Sequence, residues 1–518
     1  MEIVMDGSFL ILRLRPNPIS IRSTMPVPLV SVKEMREWEA RSWESGIRET
    51  EVIDNVGRKT AAWIMENIAT GSRILMLVGK GNNGADVRAA SEYLDENSFQ
   101  ILVKDALNPD DLLKQLQPLA SSPPDLVVDG LFGIGLNKPL DGVWKSIVST
   151  VNEWEVPILS LDCPSGLNAE DGTVGTTAIR ATWTLTIGAV KLGMLTPEAA
   201  SWTGRILLAH EVGLHPDGPK SHTQVNWILN SDIPSPVMNR QRLTHGHKGS
   251  FGHLLSLVGS PGYQGAAILS ARAAQIAQPG LISVMTIGDA WFPVASNLLS
   301  PMVHRFTPDT LNELLMKATA ILIGPGLATS EARNHIYPLI QEIWKTADVP
   351  VVVDASALDW IPSGEVESDQ IRVITPHPGE AARMLHRTGD TASTPNADRT
   401  GTARRLSQSF GDCAVILKGH QTVIYSPEFE EFFINPTGNA HLAQGGAGDV
   451  LAGLTAGYLA HRSNSANHQS ALQAIVNAVW LHGAAADSLQ FENMSWTIED
   501  LVDQLKYPAA QQFMVSPD

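Results

Sequence analysis

The chain has 518 residues, of which 43% are hydrophobic and 18% are charged, so its composition is that of an ordinary folded protein and excludes a disordered or fibrous chain. At roughly 150 residues per domain, this length predicts two or three domains. Lysine and arginine number 37 against 54 aspartates and glutamates, and the net charge of −17 disfavours nucleic acids and anionic membranes as partners. Any phosphate-bearing ligand must therefore be held by local loops.

The two cysteines, Cys163 and Cys413, are far apart in the sequence, which excludes a disulfide framework and a cysteine-rich metal site. No apolar run reaches the ~18 residues that span a bilayer, and the N-terminus lacks the basic start of an export signal. We therefore expect a cytoplasmic protein with no membrane partner. Residues 1–24 show no amphipathic pattern, so we interpret them as a loosely ordered extension or an upstream start-site artefact.

The apolar spacing between Val32 and Thr70 predicts two helices. After them, short apolar strands alternate with amphipathic segments, which predicts a mostly parallel, doubly wound sheet. Helices are predicted at about 85–94, 110–116 and 142–151. Strands are predicted at Ile74–Val78, Ile101–Val103, Leu126–Val128, Pro157–Leu161, Trp183–Ile187 and Ile206–Ala209.

From Gly213 to about His245 the sequence is irregular and rich in proline, so we place an interdomain linker there. A second α/β series follows and shares no motif with the first, which predicts two different α/β domains. The predicted boundaries are an extension over 1–29, a first domain over 30–213, a linker over 214–222 and a second domain over 223–518. The second series has predicted strands at Leu254–Val258, Leu281–Met285, Ala320–Ile323, Val351–Val353, Ile371–Ile374 and Ala414–Leu417, then two long helices near 449–459 and 470–486.

Polar residues follow the predicted strands of the first domain. The strand at Ile74–Val78 runs into the pattern GKGNNG at 79–84, which opens a helix at a pyrophosphate in many nucleotide-binding proteins. Because the carboxyl ends of parallel strands line one crevice, the polar groups after these strands should converge there. They are Asn82, Asn83, Asp86, Asp129, Asp162, Ser165 and Lys191.

These residue types suggest a chemistry. The oxygens of Asn83, Asp129 and Ser165 suit a group IA or IIA cation, and Asp162 with Lys191 forms an acid/base pair. Taken singly, each of these residues could instead cap a helix or a turn. A carboxylate at Asp105 also leaves an ordinary dinucleotide dehydrogenase as an alternative.

Three segments of this domain, GKGNNGAD at 79–86, VDGLFGIGL at 128–136 and LDCPSGL at 161–167, closely resemble the signature segments of the NAD(P)HX epimerase family. The resemblance covers roughly residues 30–213 and implies a Rossmann-like domain that interconverts the R and S epimers of hydrated NADH and NADPH (NADHX and NADPHX). It implies a potassium ion at Asn83, Asp129 and Ser165. The substrate contacts that it implies are Asn82, Asn83, Gly84, Ala85, Asp86, Gly133, Ile134, Gly135, Leu136, Asn137, Lys138, Pro139 and Asp162. Ala85 and Val87 replace two family glycines, and we predict that activity is retained because the polar residues remain.

In the second domain, the segment QGGAGDVLAG at 444–453 places three glycines directly before a helix, with Asp449 in its first turn. Helix N-termini of this kind bind anions, and a neighbouring carboxylate can take a hydroxyl proton during phosphoryl transfer. Asp449 could equally be an ordinary charge that complements the helix dipole. Further polar loops follow predicted strands: GPG at 324–326, Asp354, TPHPGE at 375–380 and KGHQT at 418–422. Lys418 could offset phosphate charge or be a solvated surface lysine.

This series of segments, together with HKG at 247–249, GSPGYQGAA at 259–267, GN at 438–439 and HG at 482–483, resembles the ADP/ATP-dependent NAD(P)H-hydrate dehydratases. The resemblance covers most of residues 223–518 and implies a ribokinase-like fold in which a nucleotide phosphorylates the hydrate and loss of phosphate restores NAD(P)H. By position, Ala266, Gly326 and His377 would contact the hydrate and Asp449 would be the base. The implied nucleotide contacts are Lys418, Gly419, His420, Gln421, Thr422 and Gly448. The implied cofactors are ADP, or alternatively ATP, and a magnesium ion.

We therefore predict a bifunctional metabolite-repair enzyme, an isomerase and a lyase in one chain. Its expected substrates are NADHX and NADPHX, and its expected assembly is a homo-oligomer of at least a tetramer. The alternative is a small-molecule kinase of ribokinase-like fold fused to a non-catalytic dinucleotide-binding domain, because the glycine loop with Asp449 would serve either enzyme.

Overall fold

The computed structural model describes residues 26–94, 98–136, 138–233, 246–391, 394–461, 467–492 and 495–506. The predicted extension over residues 1–24 and the predicted substrate contact Asn137 lie outside the described residues. Two β-sheets organise the described part, one of six strands and one of eleven. Among these residues, no helix is both long and apolar enough to cross a membrane.

The chain enters through a short strand, β1 (Val27–Pro28), and two helices, α1 (Val32–Glu44) and α2 (Glu49–Asn67). The strands of the first sheet are β2 (Arg73–Val78), β3 (Gln100–Asp105), β4 (Leu126–Gly130), β5 (Ile158–Leu161), β6 (Trp183–Ile187) and β7 (Arg205–Ala209). The helices between them are α3 (Asn82–Tyr93), α4 (Pro109–Leu116), α5 (Gly142–Glu153) and α6 (Ala200–Thr203).

The first sheet has the order β3-β2-β4-β5-β6-β7, and all neighbouring strands are parallel. The strand order reverses between β2 and β4, which is where open parallel sheets bind ligands. Helix α3 begins at Asn82, earlier than the predicted start near Ala85, with Gly81 as its N-cap. Asn82 and Asn83 therefore lie in the first turn of a helix and not in the loop before it.

The second sheet contains β1 and the strands β8 (Val225–Trp227), β9 (His253–Leu257), β10 (Leu281–Thr286), β11 (Met302–Arg305), β12 (Ala320–Ile323), β13 (Val351–Val353), β14 (Arg372–Ile374), β15 (Ala414–Leu417), β16 (Val423–Ser426) and β17 (Glu431–Ile434). Its helices are α7 (Gln264–Ala277), α8 (Trp291–Asn297), α9 (Pro308–Leu315), α10 (Ser330–Thr346), α11 (Pro378–Arg387), α12 (Arg399–Ser409), α13 (Ala447–Leu459), α14 (His468–Glu492) and α15 (Ile498–Gln504).

The second sheet has the order β1-β8-β17-β16-β15-β14-β13-β12-β9-β10-β11, and its strands from β15 to β11 in this order are parallel. Strands β16 and β17 add an antiparallel pair beside β15. Every residue of β9, β12, β13 and β15 is buried, as expected of strands with helices on both faces. The predicted α/β fold class is confirmed for both sheets.

Part of the irregular segment predicted as a linker is a strand. Strand β8 pairs with β17, and β1 pairs with β8 in turn, with Val27 opposite Trp227. The N-terminal end of the described chain is thus joined to the second sheet. The sequence pattern did not reveal β8, β11, β16 or β17, because strands of three or four residues are too short to show a period of two.

Candidate active sites

The first candidate site lies at the carboxyl ends of β5 and β6. Asp162 follows β5 directly and has a left-handed backbone with φ +59°, a strained conformation that recurs at functional sites. Its Oδ1 lies 2.5 Å from Nζ of Lys191, whose side chain has no exposed surface. Lys191 also donates to Oγ1 of Thr186 at 3.0 Å and to the carbonyl oxygen of Ile187 at 2.9 Å. All three donors of the ammonium group are used, so Lys191 is a buried charge partner of Asp162.

A cluster of oxygens adjoins this pair. Asp129 is fully buried in β4, and its carboxylate accepts hydrogen bonds from Oγ and backbone N of Ser165 at 2.6 and 2.9 Å and from Oγ of Ser160 at 2.9 Å. Burial raises the pKa of Asp129, although these hydrogen bonds oppose the shift. Nδ2 of Asn83 donates to the carbonyl oxygen of Phe132 at 2.9 Å, while its buried Oδ1 accepts no hydrogen bond within the described part of the chain. An oxygen buried in this way is costly unless a ligand satisfies it.

The loop after β4 closes over Asp162. The backbone N of Ile134 donates to Oδ2 of Asp162 at 3.3 Å, and a Cβ placed on Gly133 would lie 3.1 Å from that oxygen and 3.3 Å from Cβ of Asn83. Asp86 is buried on α3, where burial and then the charge of Asp162 hold its pKa well above the usual range. The predicted contacts Asn83, Asp86, Gly133 and Ile134 therefore come together with Asp162. Further along the loop, Gly135, Lys138 and Pro139 are exposed, and Leu136 is partly exposed.

The second candidate site lies beyond the carboxyl ends of β13 and β15. Asp354 is buried directly after β13; its Oδ1 accepts from Oγ1 of Thr375 at 2.7 Å and lies 2.7 Å from Nζ of Lys418. Oε2 of Glu380 lies 3.8 Å from the same Nζ. Burial alone would lower the pKa of Lys418, but the carboxylates of Asp354 and Glu380 outweigh it and the net shift is upward. Lys418 is a charged group between two carboxylates and not a solvated surface lysine.

Asp449 lies in the first turn of α13, beside these charges. Burial raises the pKa of Asp449 to about 7, and the carboxylate of Asp354 adds to the shift. A Cβ on Gly448 would lie 3.2 Å from Nζ of Lys418 and 3.7 Å from Oδ2 of Asp354, so the glycine loop passes directly over the ion pair. A carboxyl group with a pKa near 7 can accept a proton efficiently at neutral pH.

The glycine loop forms the N-terminus of α13. Gly446 is the N-cap and has φ +102°, a conformation that favours glycine. Nε2 of His482 lies 3.0 Å from the carbonyl oxygen of Ala447, and burial lowers the pKa of His482 to about 4, so the neutral ring donates this hydrogen bond. The backbone N–H groups of a first helical turn lack partners within the helix, and this turn lies beside Nζ of Lys418. This arrangement can bind phosphate oxygens.

The remaining predicted hydrate contacts lie on neighbouring elements. Gly326 has φ +70°, and a Cβ on it would lie 3.1 Å from Cβ of Ala266 in the first turn of α7. The two predicted contacts Gly326 and Ala266 are therefore adjacent. His377 is the N-cap of α11, and its Nδ1 accepts from the backbone N of Gly379 and Glu380 at 3.0 and 3.3 Å.

Comparison with known proteins decides the family. A family model described as "NAD(P)H-hydrate dehydratase" matches residues 254–506, and one described as "YjeF-related protein N-terminus" matches residues 104–193. The bifunctional NAD(P)H-hydrate repair enzyme of Moorella thermoacetica is 31% identical to this chain, over 92% of this chain and 96% of that protein. That of Coxiella burnetii is 30% identical, over 88% and 93%. This chain belongs to the family of bifunctional NAD(P)H-hydrate repair enzymes.

Several solved structures are similar to part of this repair enzyme. An ADP/ATP-dependent NAD(P)H-hydrate dehydratase from Bacillus subtilis, co-crystallised with ATP and Mg²⁺, is 31% identical, with a TM-score of 0.43 over 51% of this chain and 91% of that one. The family predicted from the sequence segments is thus confirmed by the relatives that span both halves. Asp105, which left a dehydrogenase as an alternative, instead forms an ion pair with Arg88.

Two acidic residues of the repair enzyme that sequence reasoning missed face the first site from the helices before the sheet. Oε1 of Glu49, the first residue of α2, accepts from Nδ2 of Asn82 at 2.6 Å. Burial raises the pKa of Glu39 on α1 to about 7, and the charge of Asp162 adds to the shift. Neither residue follows a strand or belongs to a glycine pattern, so the sequence contains no signal that would have singled them out.

A third missed residue, Arg399, supports the predicted nucleotide segment Lys418–Thr422. Nη2 of Arg399 donates to the carbonyl oxygen of Leu417 at 2.9 Å, and Nη1 donates to that of His420. Burial lowers the pKa of Arg399 to about 10. Gly419 and Gln421 within the segment have φ +139° and +53°. Arg399 thus fixes a turn with unusual backbone angles.

Ala85 and Val87, which stand where the family has glycines, have a helical backbone that any residue can adopt. Ala85 and Val87 lie within α3, so neither position requires a positive φ. The side chain of Val87 is fully buried and packs against Gly130 of β4. Val87 therefore belongs to the core of the sheet and leaves the ligand side of the helix to its polar neighbours.

Proposed function

We propose that this repair enzyme carries out two reactions at two sites. The first domain, over residues 30–213, would epimerise NADHX and NADPHX, and the second, over residues 223–518, would dehydrate the S epimer with ADP. The observation that carries the proposal is the grouping of Asp449, Lys418 and Asp354 under the glycine loop at the N-terminus of α13. Membership of a bifunctional family supports the pairing of the two activities.

In the proposed dehydration, the carboxylate of Asp449 takes the proton of the hydrate hydroxyl. The hydroxyl oxygen then attacks the β-phosphorus of ADP, and AMP leaves with the electron pair of the broken P–O bond. The backbone N–H groups of the glycine loop and the ammonium group of Lys418 offset the charge on the transferred phosphoryl group. In a second step the C–O bond breaks, phosphate leaves, and the neighbouring ring carbon loses a proton to restore the double bond of NAD(P)H.

In the proposed epimerisation, the carboxylate of Asp162 takes and returns a proton at the hydrate. Its Oδ1 is held by Lys191, and its Oδ2 is the oxygen that faces Gly133 and Ile134. Substrate contacts would come from the first turn of α3 and from the loop after β4. Lys191 would act as the charge partner that holds Asp162 in place, since each of its donors already has an acceptor.

Two cations belong to the proposal. The unsatisfied Oδ1 of Asn83 and the neighbouring oxygens of Asp129 and Ser165 fit a potassium ion, which when bound would supply positive charge beside an anionic substrate. Magnesium usually binds one or two protein carboxylates together with substrate phosphates. We therefore propose that Mg²⁺ enters the second site as part of the nucleotide complex.

A single assay tests both activities: mixed R and S epimers are incubated with ADP or ATP, and NAD(P)H absorbance is followed. Full recovery of NAD(P)H from both epimers is expected with ADP, with release of AMP and phosphate. Recovery of the S epimer alone would contradict the epimerase, and a product that stays phosphorylated would favour the small-molecule kinase instead.

The compartment and the assembly state complete the proposal. Both cysteines, Cys163 and Cys413, are free and buried, which suits a reducing cytoplasm. We propose a homo-oligomer of at least a tetramer, which light scattering of the purified full chain would test.

A further inference from the structure

The two sheets of the chain are linked through a buried carboxylate that neither proposed reaction uses. Asp487 lies on α14 with 1% of its side chain exposed. Its Oδ2 accepts from the backbone N of Gly438 at 2.9 Å, and its Oδ1 accepts from Nδ2 of Asn439 at 3.2 Å. Nη2 of Arg205 lies 2.6 Å from the same Oδ2. Arg205 is the first residue of β7, so a cation from the first sheet pairs with a carboxylate of the second unit.

Gly438 and Asn439 begin the segment that leads into the glycine loop. Oδ1 of Asn439 accepts from the backbone N of His441 at 3.0 Å, and Nε2 of Gln444 donates to the carbonyl oxygen of His441 at 2.7 Å. These hydrogen bonds reach as far as Gln444, whose carbonyl oxygen accepts from the backbone N of Ala447 at 3.3 Å within the glycine loop. At its far end, Ala447 is held by His482, which also lies on α14. Helix α14 therefore holds both ends of the segment 438–447.

The attachment of Gly438 to Asp487 depends on Arg205, because its positive charge offsets the free-energy cost of burying the carboxylate. Gly438 and Asn439 supply only neutral donors to a carboxylate with 1% exposure. A buried carboxylate that loses its cation is strongly disfavoured, and it must gain water or move to recover solvation. If Asp487 moves, the backbone of Gly438 moves with it.

We propose that Arg205 is a positioning residue of the dehydratase: through Asp487 it holds the segment 438–447, and with it the glycine loop, in the conformation that binds ADP. The inference rests on the proposed function of the second site. A residue of the first sheet would thus help to hold the nucleotide site of the second domain in place.

The test is ADP binding to the full chain, measured by calorimetry. Arg205→Gln is expected to weaken ADP binding about tenfold, because the loss of one hydrogen bond between the glycine loop and a phosphate has an effect of about this size, with the epimerase rate unchanged. Arg205→Lys keeps the positive charge, and one nitrogen of Arg205 contacts Asp487, so a lysine can replace it. This variant is expected to bind ADP within about threefold of wild type. The matched control is Arg88→Gln, which removes an exposed ion pair with Asp105 from the same sheet and should leave ADP binding unchanged.

A double variant separates positioning from general damage. In Arg205→Gln with Asp487→Asn, the amide oxygen still accepts from Gly438 and needs no cation, although the hydrogen bond from Nδ2 of Asn439 is lost. ADP binding should therefore recover in part relative to Arg205→Gln alone. Unchanged ADP binding in Arg205→Gln would overturn the inference. Failure of both the lysine variant and the double variant to recover binding would overturn it too, since that is the result of a general loss of packing. ADP binding can be measured without turnover, so the inference is tested even if the dehydratase reaction fails. A wild-type chain that binds ADP but does not restore NAD(P)H would contradict the proposed function alone.

Discussion

Nζ of Lys191 lies 2.5 Å from Oδ1 of Asp162, and the backbone of Lys191 forms a parallel bridge with Val30 ahead of α1. The ion pair is thus anchored from both sides, by β5 through Asp162 and by the N-terminal segment through Val30. A lysine with no exposed surface and three acceptors is well placed to hold the charge and orientation of Asp162.

Replacement of this lysine should disable the first site selectively. Lys191→Met leaves Asp162 buried without its cation, so we expect the epimerase kcat/KM to fall about 100-fold. Dehydration of the purified S epimer should be unchanged. The measurement is the rate of R-to-S conversion coupled to an excess of a single-domain NAD(P)H-hydrate dehydratase, which adds no epimerase, with Lys33→Met as the control because Lys33 is an exposed residue paired with Glu37. An equal loss in the control variant would count against a specific role.

The dehydratase rate should depend on pH through Asp449. As a base, Asp449 must be ionised, and its pKa is raised to about 7, so the rate with the S epimer should rise through pH 7 and level off above about pH 8. The residual rate of Asp449→Asn supplies the control, since that variant lacks the carboxyl group that titrates. A dehydratase rate that is flat between pH 6 and about pH 8 would contradict the assignment of Asp449 as the base.

Asp449→Asn should lower the dehydratase activity and raise the thermal stability at pH 8. Without a base, kcat should fall at least about 100-fold, while ADP binding changes little because the backbone holds the phosphates. In the folded state Asp449 keeps its proton up to about pH 7, whereas in the unfolded chain its carboxyl group loses the proton near pH 4. The stability that this difference in pKa contributes is therefore complete in acid and is lost as the pH rises through 7. At pH 8 the neutral amide should therefore raise Tm, a shift that thermal unfolding of both proteins measures. A lower Tm for Asp449→Asn at pH 8 would contradict the raised pKa.

Potassium should stabilise the chain through Asn83. The buried Oδ1 of Asn83 lacks a donor among the described residues, and a cation that satisfies it in the folded state raises stability by mass action. We expect Tm to be a few degrees higher in KCl than in choline chloride at equal ionic strength. Asn83→Leu, of similar volume, should abolish the difference between the two salts. An equal potassium effect in that variant would place the ion elsewhere.

Restoring the family's glycine at Val87 should harm the protein. Val87→Gly removes a fully buried side chain from a helix, which we expect to cost about 2–4 kcal/mol of unfolding free energy. Ala85→Gly at a partly exposed position of the same helix should cost about 1 kcal/mol. Chemical denaturation measures both, and neither substitution should raise the epimerase rate. A clear gain of epimerase activity in Val87→Gly would mean that the valine restricts the ligand.

The sequence alone determined the α/β fold class, the family and the residues at the strand ends. The hydrophobic spacing of the strands and helices can be recognised from short stretches of sequence. The parallel topology that their alternation predicts then places Asp129, Asp162 and Lys191 at one edge of the sheet, and no knowledge of packing is needed. The glycine loop before Asp449 is equally local. These features depend on neighbours in the chain, so a single sequence carries them.

Only the tertiary structure decided which groups meet across elements. Glu39 and Glu49 reach the first site from helices that precede the sheet, and Arg205 pairs with Asp487 across 282 residues. Such contacts are set by how helices and sheets pack, and no residue spacing encodes them. The pKa of Asp449 near 7 has the same origin, because it comes from burial beside Asp354 and not from the residue itself.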